Sequence, residues 1–161
     1  MERKSSSGLW LVVIVIGLTI IINKIAIFFP TVSGQSMYPS YDNGDLLVCK
    51  RPLLVKEYNR GDVVIIKKEE AQLVKRIIGL PGDSVKIENG EVYINGEALV
   101  EDWGREPIED AGILKEEYVL DEYEYIVLGD NRNHSSDSRV FGGVYESEII
   151  GQCVFRLTSP L

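Results

Sequence analysis

Hydrophobic residues are concentrated in one block near the N-terminus, whereas the rest of the chain alternates short apolar runs with turn residues. Leu9–Ile22 contains no charged residue, and beyond Asn23 and Lys24 the apolar block continues to Phe29. A helix of about 20 apolar residues spans the roughly 30 Å hydrocarbon core of a bilayer. The pattern therefore predicts a transmembrane anchor over residues 9–29, after a short N-terminal segment of residues 1–8.

The charges that flank this block predict its orientation. Arg3 and Lys4 precede it, and the chain beyond it is acidic overall. Because cytoplasmic flanks carry an excess of Lys and Arg, residues 1–8 are expected in the cytoplasm and residues 30–161 on the extracytoplasmic side of the cell membrane. A cleavable signal peptide with a small-x-small site at Thr31–Ser33 is the alternative, although the apolar block is long for such a peptide.

Beyond Pro30 the pattern favours short strands separated by turn signals, which indicates a mainly β domain with a mixed or barrel-like sheet. The strands are expected at Asp45–Cys49, Asp62–Ile66, Leu73–Ile78, Val85–Ile87, Glu91–Ile94, Tyr125–Leu128 and Gly151–Leu157. Asn89–Gly90 predicts a two-residue hairpin turn. Residues 97–120 are polar and less periodic, and they are expected to form a connecting excursion with one short helix around Ile113–Tyr118.

The composition narrows the classes of partner and cofactor. The net charge of −8 argues against nucleic acid, because phosphate binding requires a basic face. The single histidine and the lack of a CxxC motif predict no metal site. No organic cofactor is expected. Cys49 and Cys153 lie in apolar runs and are expected to be buried free thiols, with a disulfide as the alternative outside the cytosol.

Two residues are candidates for nucleophilic chemistry. Ser36 lies in the turn-rich segment SGQSMYP, where a serine next to glycine can be an exposed nucleophile. Lys75 lies in LVKRII, where strand alternation places it on one face with Leu73 and Ile77. Burial on that face would lower the pKa of the amine, and a neutral amine can take a proton from a serine hydroxyl. A turn-forming serine and a solvated lysine are the alternatives when each segment is taken alone.

A third candidate is the polar segment GDNRNHSSDSR, which follows the Tyr125–Leu128 strand. Asp130 and Asp137 can each form an ion pair with Arg132 or Arg139. Buried pairs of this kind would hold a site rigid. An ordered polar loop without catalytic role is the alternative.

Together these segments resemble the type I signal peptidase family in its bacterial, short, single-anchor form. The resemblance covers the anchor, SGQSMYPS, RGDVVIIK, LVKRIIGLPGDSV, GDNRNHSSDSR and the last strand, in the order that the family has. It implies a two-sheet β protease that removes signal peptides from secretory preproteins after small-x-small sites by acyl-enzyme chemistry. It also implies a membrane-bound enzyme in contact with lipid, and a monomer is the default expectation.

The resemblance also implies a role for each matching residue. Ser36 is the expected nucleophile and Lys75 the expected general base. Ser135 is expected to hydrogen-bond and orient the lysine. Asp137 and Arg139 are the expected supporting ion pair, and Asp130 is the expected second structural acid. Small substrate pockets are expected to be lined by Val32, Met37 and Val74.

One departure affects the oxyanion hole. Where some members of the family have a hydroxyl residue two positions before the nucleophile, this chain has Gly34. Backbone N–H groups must then stabilise the oxyanion, that of Ser36 among them, and Gly34 is a candidate for a second donor. Ser36 also lies seven residues after Phe29, so it is at most roughly 25 Å from the end of the predicted anchor.

Three other functions compete with this interpretation. A Ser36–His134–Asp triad would keep the enzyme class but change the base. A self-cleaving repressor also uses a Ser/Lys pair, but it would have a DNA-binding region in place of the anchor. A binding domain without activity would give Arg60-Gly61-Asp62 an adhesive role, although a turn that leads into a strand explains that tripeptide.

Overall fold

The computed structural model of the protein describes residues 7–104 and 106–157. The chain begins with helix α1 (Ser7–Ala26), on which large apolar side chains such as Leu9 and Trp10 are 71% and 66% exposed. No helix within the described ranges meets the combined requirement of length and hydropathy for a membrane span. Arg3 and Lys4, on which the predicted orientation depends, lie outside the described residues.

Helix α1 ends at Ala26, before the predicted end of the anchor at Phe29. The next two residues form strand β1 (Ile27–Phe28), which pairs antiparallel with residues 49 and 50. The ring of Phe28 packs where a Cβ on Gly151 would lie, and the Arg51 guanidinium stacks over the same ring, 4.8 Å from its centroid. These contacts explain why the last apolar residues of the block belong to the β domain.

Ten further strands and a short helix form the rest of the domain. In chain order they are β2 (Leu46–Lys50), β3 (Val63–Lys68), β4 (Ala71–Gly79), β5 (Ser84–Glu88), β6 (Glu91–Ile94), β7 (Glu97–Ala98), β8 (Tyr118–Val119), β9 (Glu124–Leu128), α2 (Ser138–Phe141), β10 (Val144–Tyr145) and β11 (Ile149–Leu157). All pairings between them are antiparallel.

The strands form two sheets, which confirms the mainly β, two-sheet prediction. The larger sheet has the order β1-β2-β11-β3-β4-β9-β10, and the smaller has the order β7-β6-β5-β8. One hydrophobic cluster joins β4 and β9 of the larger sheet to β5 and β6 of the smaller, and its fully buried members include Ile78, Val85 and Ile126. This cluster fixes β4 and β9, the two strands whose residues reappear in the site below.

The predicted strands agree with the structure, and the connections differ in detail. Asn89 and Gly90 have positive φ values of 52° and 84° and form the tight turn between β5 and β6. The excursion over residues 97–120 is more regular than predicted, because β7 and β8 extend the smaller sheet at its two edges. The helix expected around Ile113–Tyr118 is a single 3-10 turn at Gly112–Lys115.

Candidate active site

Ser36 lies in the loop that connects β1 to β2. A bridge between Thr31 and Leu46 closes the base of this loop, and the Val32 N–H donates to the Asp45 carbonyl at 2.8 Å. Gly34 has a φ of 94°, a backbone conformation that residues other than glycine rarely adopt. The loop therefore turns back sharply just before Ser36, whose side chain is half-buried.

Lys75 lies on β4, and the structure brings its amine to the serine. The Lys75 side chain is 2% exposed, and its Nζ lies 2.8 Å from Ser36 Oγ. Its strand neighbour Ile77 is fully buried, in keeping with the predicted shared face. Ser36 and Lys75 are 39 positions apart in the chain. Their contact therefore depends on the position of β4 within the larger sheet.

Burial also sets the electrostatics of this amine. Desolvation lowers the pKa of Lys75 from 10.5 to about 8, while the negative charge of Asp137 acts in the opposite direction. An amine with this pKa is partly neutral near physiological pH, when its lone pair can accept a proton from the Ser36 hydroxyl. The arrangement is thus chemically able to generate a serine nucleophile without a histidine.

The loop that follows β9 is held by a buried ion pair. The Arg139 Nε and Nη2 donate to the two carboxylate oxygens of Asp137 at 2.8 and 2.9 Å. Asp137 is fully buried and caps α2 at its N-terminus. Its Oδ2 also accepts from the Gly129 N–H at 3.0 Å, which connects the pair to the end of β9. Each of these hydrogen bonds is made to the charged carboxylate of Asp137, and such bonds are stronger than those between neutral groups. The backbone of the loop is therefore held firmly in place.

Asp130 forms its ion pair with Arg76 of strand β4, and not with Arg132 or Arg139 of its own segment. Arg76 donates from Nε and Nη2 to its two carboxylate oxygens at 2.8 and 2.6 Å. The Arg76 guanidinium also stacks on Trp103, 4.7 Å from the ring centroid. The predicted pairing of Asp130 with Arg132 or Arg139 is therefore wrong. Arg76 is adjacent to Lys75 and lies on the opposite face of β4, so this pair fixes the strand that carries the amine.

Breaking this pair is expected to cost more stability than breaking a surface pair. Asp130→Ala leaves the Arg76 guanidinium, with 11% of its side chain exposed, without its carboxylate. Loss of one partner of a buried pair costs about 3–5 kcal/mol. Urea unfolding of the variant measures this cost, and Glu88→Ala is the matched control. Its pair with Lys86 is 39% and 52% exposed, so we expect a change below about 1 kcal/mol. Equal losses for both variants would contradict the assignment.

The loop between β1 and β2 (residues 29–45), which carries Ser36 and is called the nucleophile loop below, contacts the loop after β9 directly. The Asn131 backbone N–H donates to the Ser36 carbonyl at 3.0 Å, and its Nδ2 donates to the Gln35 carbonyl at 3.1 Å. A Cβ on Gly129 would overlap both the Ser36 carbonyl and Ser135 Oγ. Sequence reasoning missed Asn131, Gly129 and Arg76 as site residues. The motif GDNR contains two of them, but their contacts cannot be inferred without the packing of the two loops.

Gly129→Ala is expected to displace the serine without touching the reacting atoms. The added methyl group requires the Ser36 backbone to move, and a shift of about 1 Å at a reacting group costs on the order of 100-fold in rate. We expect the rate of the chemistry at Ser36 to fall by about this factor, with little change in KM. Ser136→Ala, an exposed position in the same loop, is the control. Full activity of Gly129→Ala would show that the close approach is unimportant.

Ser135 does not make the contact predicted for it. Its Oγ is buried but has no hydrogen-bond partner among the described residues. The side chain lies against Gly129, and its carbonyl accepts from Arg139 at 3.2 Å. The expected hydrogen bond from Ser135 to the lysine amine is therefore not formed in this structure.

Gly34 is not a free donor for an oxyanion. Its N–H donates to Asn43 Oδ1 at 2.9 Å, across the base of the nucleophile loop. This use of the Gly34 N–H is a correction to the expectation that it would supply a second donor. The backbone N–H of Ser36 has no acceptor within the described part of the chain, which leaves it available.

The predicted pocket residues lie in the loop that carries Ser36 and on strand β4. Val32 and Met37 are 4% and 1% exposed, and Val74 is half-buried. Val32 belongs to a hydrophobic cluster that includes Ile65 and against which Val74 packs. Val32 and Met37 are too deeply buried to offer much surface to a ligand, so Val74 is the member of this set with accessible surface.

His134 lies outside this arrangement. It is exposed, and its Nδ1 lies 3.2 Å from Asn131 Oδ1, which is its hydrogen-bond partner in the structure. Arg60 and Asp62 are likewise engaged within the fold, the first with Asp83 at 2.9 Å and the second with Gln152 at 2.6 Å. Residues 7–104 and 106–157 contain no group of acidic, His or Cys side chains that could hold a metal ion.

A mainly β fold in which a serine hydroxyl contacts a buried amine is the arrangement expected of a serine endopeptidase. A profile of the signal peptidase family, peptidase S26, matches residues 6–158. The chain is a member of this family, that of the bacterial type I signal peptidases, whose activity is the removal of signal peptides.

Relatives and a solved structure agree with this assignment. The chain is 32% identical to signal peptidase I S of Bacillus subtilis, over 96% of this chain and 90% of that protein. It is 36% identical to signal peptidase I of Bacillus licheniformis, over 86% and 81% of the two chains. A crystal structure of a signal peptidase I from Enterococcus faecalis matches with a TM-score of 0.50 at 31% identity, and covers 60% of this chain and 97% of its own.

Proposed function

We propose that Ser36 and Lys75 form the catalytic dyad of this signal peptidase. The observation that supports this proposal is the 2.8 Å contact between Lys75 Nζ and Ser36 Oγ, in a setting where burial lowers the lysine pKa to about 8. A binding domain without activity has no use for a buried amine beside a serine, since that burial costs free energy. The contact therefore favours the enzymatic role over the inactive one.

The chemistry is acyl transfer in two halves. Neutral Lys75 accepts the hydroxyl proton as Ser36 Oγ attacks the scissile carbonyl, and the Ser36 N–H stabilises the oxyanion. The protonated amine then gives its proton to the leaving amino group, which releases the mature protein and leaves the signal peptide as an ester on Ser36. Water attacks this ester while Lys75 takes one of its protons. The ester bond to Ser36 then breaks, Lys75 returns the proton to Ser36 Oγ, and the signal peptide leaves as a free carboxylate.

The supporting residues hold Ser36 and Lys75 in position and take no part in the proposed proton transfers. The Asp137–Arg139 pair fixes the loop after β9, and the Asp130–Arg76 pair fixes strand β4 next to Lys75. The loop after β9 and the strand that carries Lys75 are thereby held by buried, charge-assisted contacts. A preorganised serine and amine need little reorganisation when the substrate binds.

Substrate selection is proposed to depend on the apolar surface beside Ser36. An extended peptide presents alternate side chains to one wall. Val74 is half-buried and is the member of the predicted pocket with surface to offer. Its short, branched side chain, with Val32 and Met37 buried in the neighbouring loop, would favour small residues just before the cut. Cleavage after small-x-small sequences is proposed because the family resemblance implies it, and an apolar wall of this kind is compatible with it.

The pH dependence tests the proposed base. With a pKa of about 8 for Lys75, about 1% of the enzyme has a neutral amine at pH 6 and about half has it at pH 8. We expect kcat/KM for preprotein cleavage to rise roughly tenfold per pH unit below pH 8 and to level off above pH 9. A flat profile between pH 6 and 10, under conditions in which chemistry limits the rate, would contradict a lysine base.

The enzyme is further proposed to be a monomer anchored once in the cell membrane and in contact with its lipids. Residues 1–8 would lie in the cytoplasm and the catalytic domain outside. The anchor predicted over residues 9–29 would end at Ala26, because Ile27 and Phe28 pair with β2. The support is the uncharged run Leu9–Ile22 and the two basic residues before it. In this proposal helix α1 would form the anchor, and Ile27–Phe28 would bring the domain close to the membrane surface. Resistance to alkaline carbonate extraction tests the anchor, and release of the whole chain would disprove it.

The tripeptide Thr31–Ser33 is not proposed as a processing site. Val32 is buried, and Thr31 pairs with Leu46 at the base of the nucleophile loop. Cleavage there would remove β1 from the larger sheet and cut the loop that holds Ser36. The retained anchor is therefore the better account of the N-terminal block.

A preprotein assay tests the proposed function as a whole. The full chain in detergent micelles is incubated with a secretory preprotein, and the N-terminus of the product is sequenced. We expect one cut after a small-x-small sequence, and no cut when phenylalanine replaces the small residue just before the scissile bond. No cleavage by the wild-type chain, or equal cleavage of both preproteins, would overturn the proposal.

A further inference from the structure

Two cysteines outside the dyad face each other across neighbouring strands. Cys49 on β2 is the direct antiparallel partner of Cys153 on β11, and their Sγ atoms are 2.9 Å apart. Opposed residues in antiparallel strands have Cα atoms about 4.5 or 5.5 Å apart. Both values fall within the range of about 4.4–6.8 Å that a disulfide requires. In the structure the two thiols are free.

The backbone around this pair has room to adjust. The pairing of β11 with β2 shifts register just after Cys153, where a bulge interrupts the regular ladder. A bulge lets a strand bend and re-aims the side chains beside it. The small rotation that bonds two facing sulfurs would therefore not have to break a regular run of ladder hydrogen bonds.

We propose that Cys49 and Cys153 are a modification site that forms a cross-strand disulfide in an oxidising environment. The setting rests on the proposed function, which places the domain outside the cytoplasm, where disulfides persist. The geometry does not depend on that function, because it comes from the register of β2 and β11. The oxidant required is a disulfide, either a small molecule such as oxidised glutathione or a protein disulfide.

The reaction is a thiol–disulfide exchange in two steps. Cys153 is the partly exposed member of the pair, so its thiolate attacks a sulfur of the oxidant and one thiol leaves. The fully buried Cys49 then attacks Cys153 Sγ in this mixed disulfide, and the second thiol leaves. Two electrons pass from the cysteines to the oxidant, and the two cysteine protons end on the two thiols released.

The cross-link would hold both sides of the nucleophile loop. Strand β2 begins where that loop ends, at the bridge between Thr31 and Leu46. Strand β11 contacts the same loop, since Arg156 donates to the Ser40 carbonyl at 2.5 Å and lies 2.8 Å from an Asp45 carboxylate oxygen. A bond between residues 104 positions apart also restricts the unfolded chain strongly. Oxidation should therefore stabilise the domain and the loop that carries Ser36.

The state of the thiols sets the conditions of the test. The hydrogen bond with Cys49, followed by burial, raises the pKa of the Cys153 thiol. Thiolate formation is then unfavourable at neutral pH, and exchange in the folded protein is slow. Oxidation is therefore carried out for hours at about pH 9, where more of the thiol is ionised.

The experiment counts thiols and locates the bond. The full chain in detergent is reduced, freed of reductant, treated with oxidised glutathione, and denatured for titration with a thiol reagent. Of the two cysteines in the chain, we expect both to titrate before oxidation and neither after it. Non-reducing peptide mapping should show the Cys49 and Cys153 peptides joined, and Tm should rise by roughly 5–15 °C and return with dithiothreitol.

Single-cysteine variants supply the control and the contrary result. Cys49→Ser lacks the resolving thiol, so it should retain glutathione on Cys153 and show no oxidant-dependent rise in Tm. The proposal is overturned if the wild-type chain keeps two free thiols, or if it carries glutathione on Cys153 without a cross-linked peptide. This readout needs no substrate, so a chain that cross-links but cleaves no preprotein would disprove the proposed function alone.

Discussion

Replacement of Ser36 by alanine is expected to lower kcat for preprotein cleavage by roughly 10⁴-fold or more, with little change in KM. The variant loses the Oγ that lies 2.8 Å from the Lys75 amine, so no acyl-enzyme can form. Removal of the nucleophile in other serine hydrolases costs factors of this size, and what remains reflects binding and the oxyanion donors. Initial rates of cleavage of a radiolabelled preprotein over a range of concentrations measure both parameters.

Ser33→Ala is the matched control for this variant. Ser33 lies in the same loop but is exposed, and its hydroxyl is not part of the proposed chemistry. We expect its activity within about threefold of wild type, the range of a peripheral substitution. If Ser36→Ala retains substantial cleavage, the nucleophile lies elsewhere, and if both variants lose activity equally, the loop rather than the Ser36 hydroxyl is responsible.

Lys75→Met is expected to abolish cleavage to a similar extent and to stabilise the protein at the same time. Methionine fills most of the space of the lysine stem but cannot accept a proton, so the general base is lost. The neighbouring ion pair between Asp137 and Arg139 remains intact, because its hydrogen bonds do not involve Lys75. We therefore expect a folded protein with a rate at least about 10³-fold below wild type.

The gain in stability follows from the lysine pKa. At pH 7 the folded protein holds a charged amine in a buried position, because its pKa of about 8 is above that pH. The shift from 10.5 to about 8 corresponds to a penalty of roughly 3 kcal/mol. This penalty is complete below about pH 8 and fades as the pH rises towards 10.5, since there the folded protein releases the proton before the unfolded chain does. Lys75→Met removes it, so the free energy of unfolding at pH 7 should rise by up to about this amount.

Lys67→Met separates this effect from a general effect of removing a lysine. Lys67 lies on β3, opposite Gln72, and its side chain is exposed. We expect activity and unfolding free energy to stay close to the wild-type values, within about 0.5 kcal/mol for the latter. A Lys75→Met variant that is markedly destabilised and inactive would mean that the lysine has a structural role, and the proposed base would lose its support.

The sequence predicts the strands well because their signals are local. The hairpin between β5 and β6 depends on Asn89 and Gly90, whose positive φ values suit a tight turn. Alternation places Lys75 on one face of β4 with Leu73 and Ile77. It does not say that this face is buried, and Ile78 on the opposite face is fully buried as well. Strand β1 was missed for the same reason: Ile27 and Phe28 continue an apolar run, and only their pairing with Lys50 and Cys49 separates them from the helix.

The contacts between distant segments could not be predicted from the sequence. Asp130 pairs with Arg76, 54 positions away, because β9 lies beside β4 with Leu128 opposite Arg76. The segment GDNRNHSSDSR offered two nearer arginines, and nothing local excludes them. The contact of Asn131 with the Ser36 carbonyl is likewise a result of loop packing, so the positions of the charges were predictable and their partners were not.

The central claim is that Lys75, rather than His134, activates Ser36. The most direct test is cleavage of one preprotein by the wild-type chain, Lys75→Met and His134→Ala, at equal concentration and about pH 9, where the wild-type amine is mostly neutral. The exposed His134 bonds to Asn131, so we predict that His134→Ala keeps its rate within about threefold, whereas Lys75→Met falls to background. Cleavage retained by Lys75→Met and lost by His134→Ala would contradict this account.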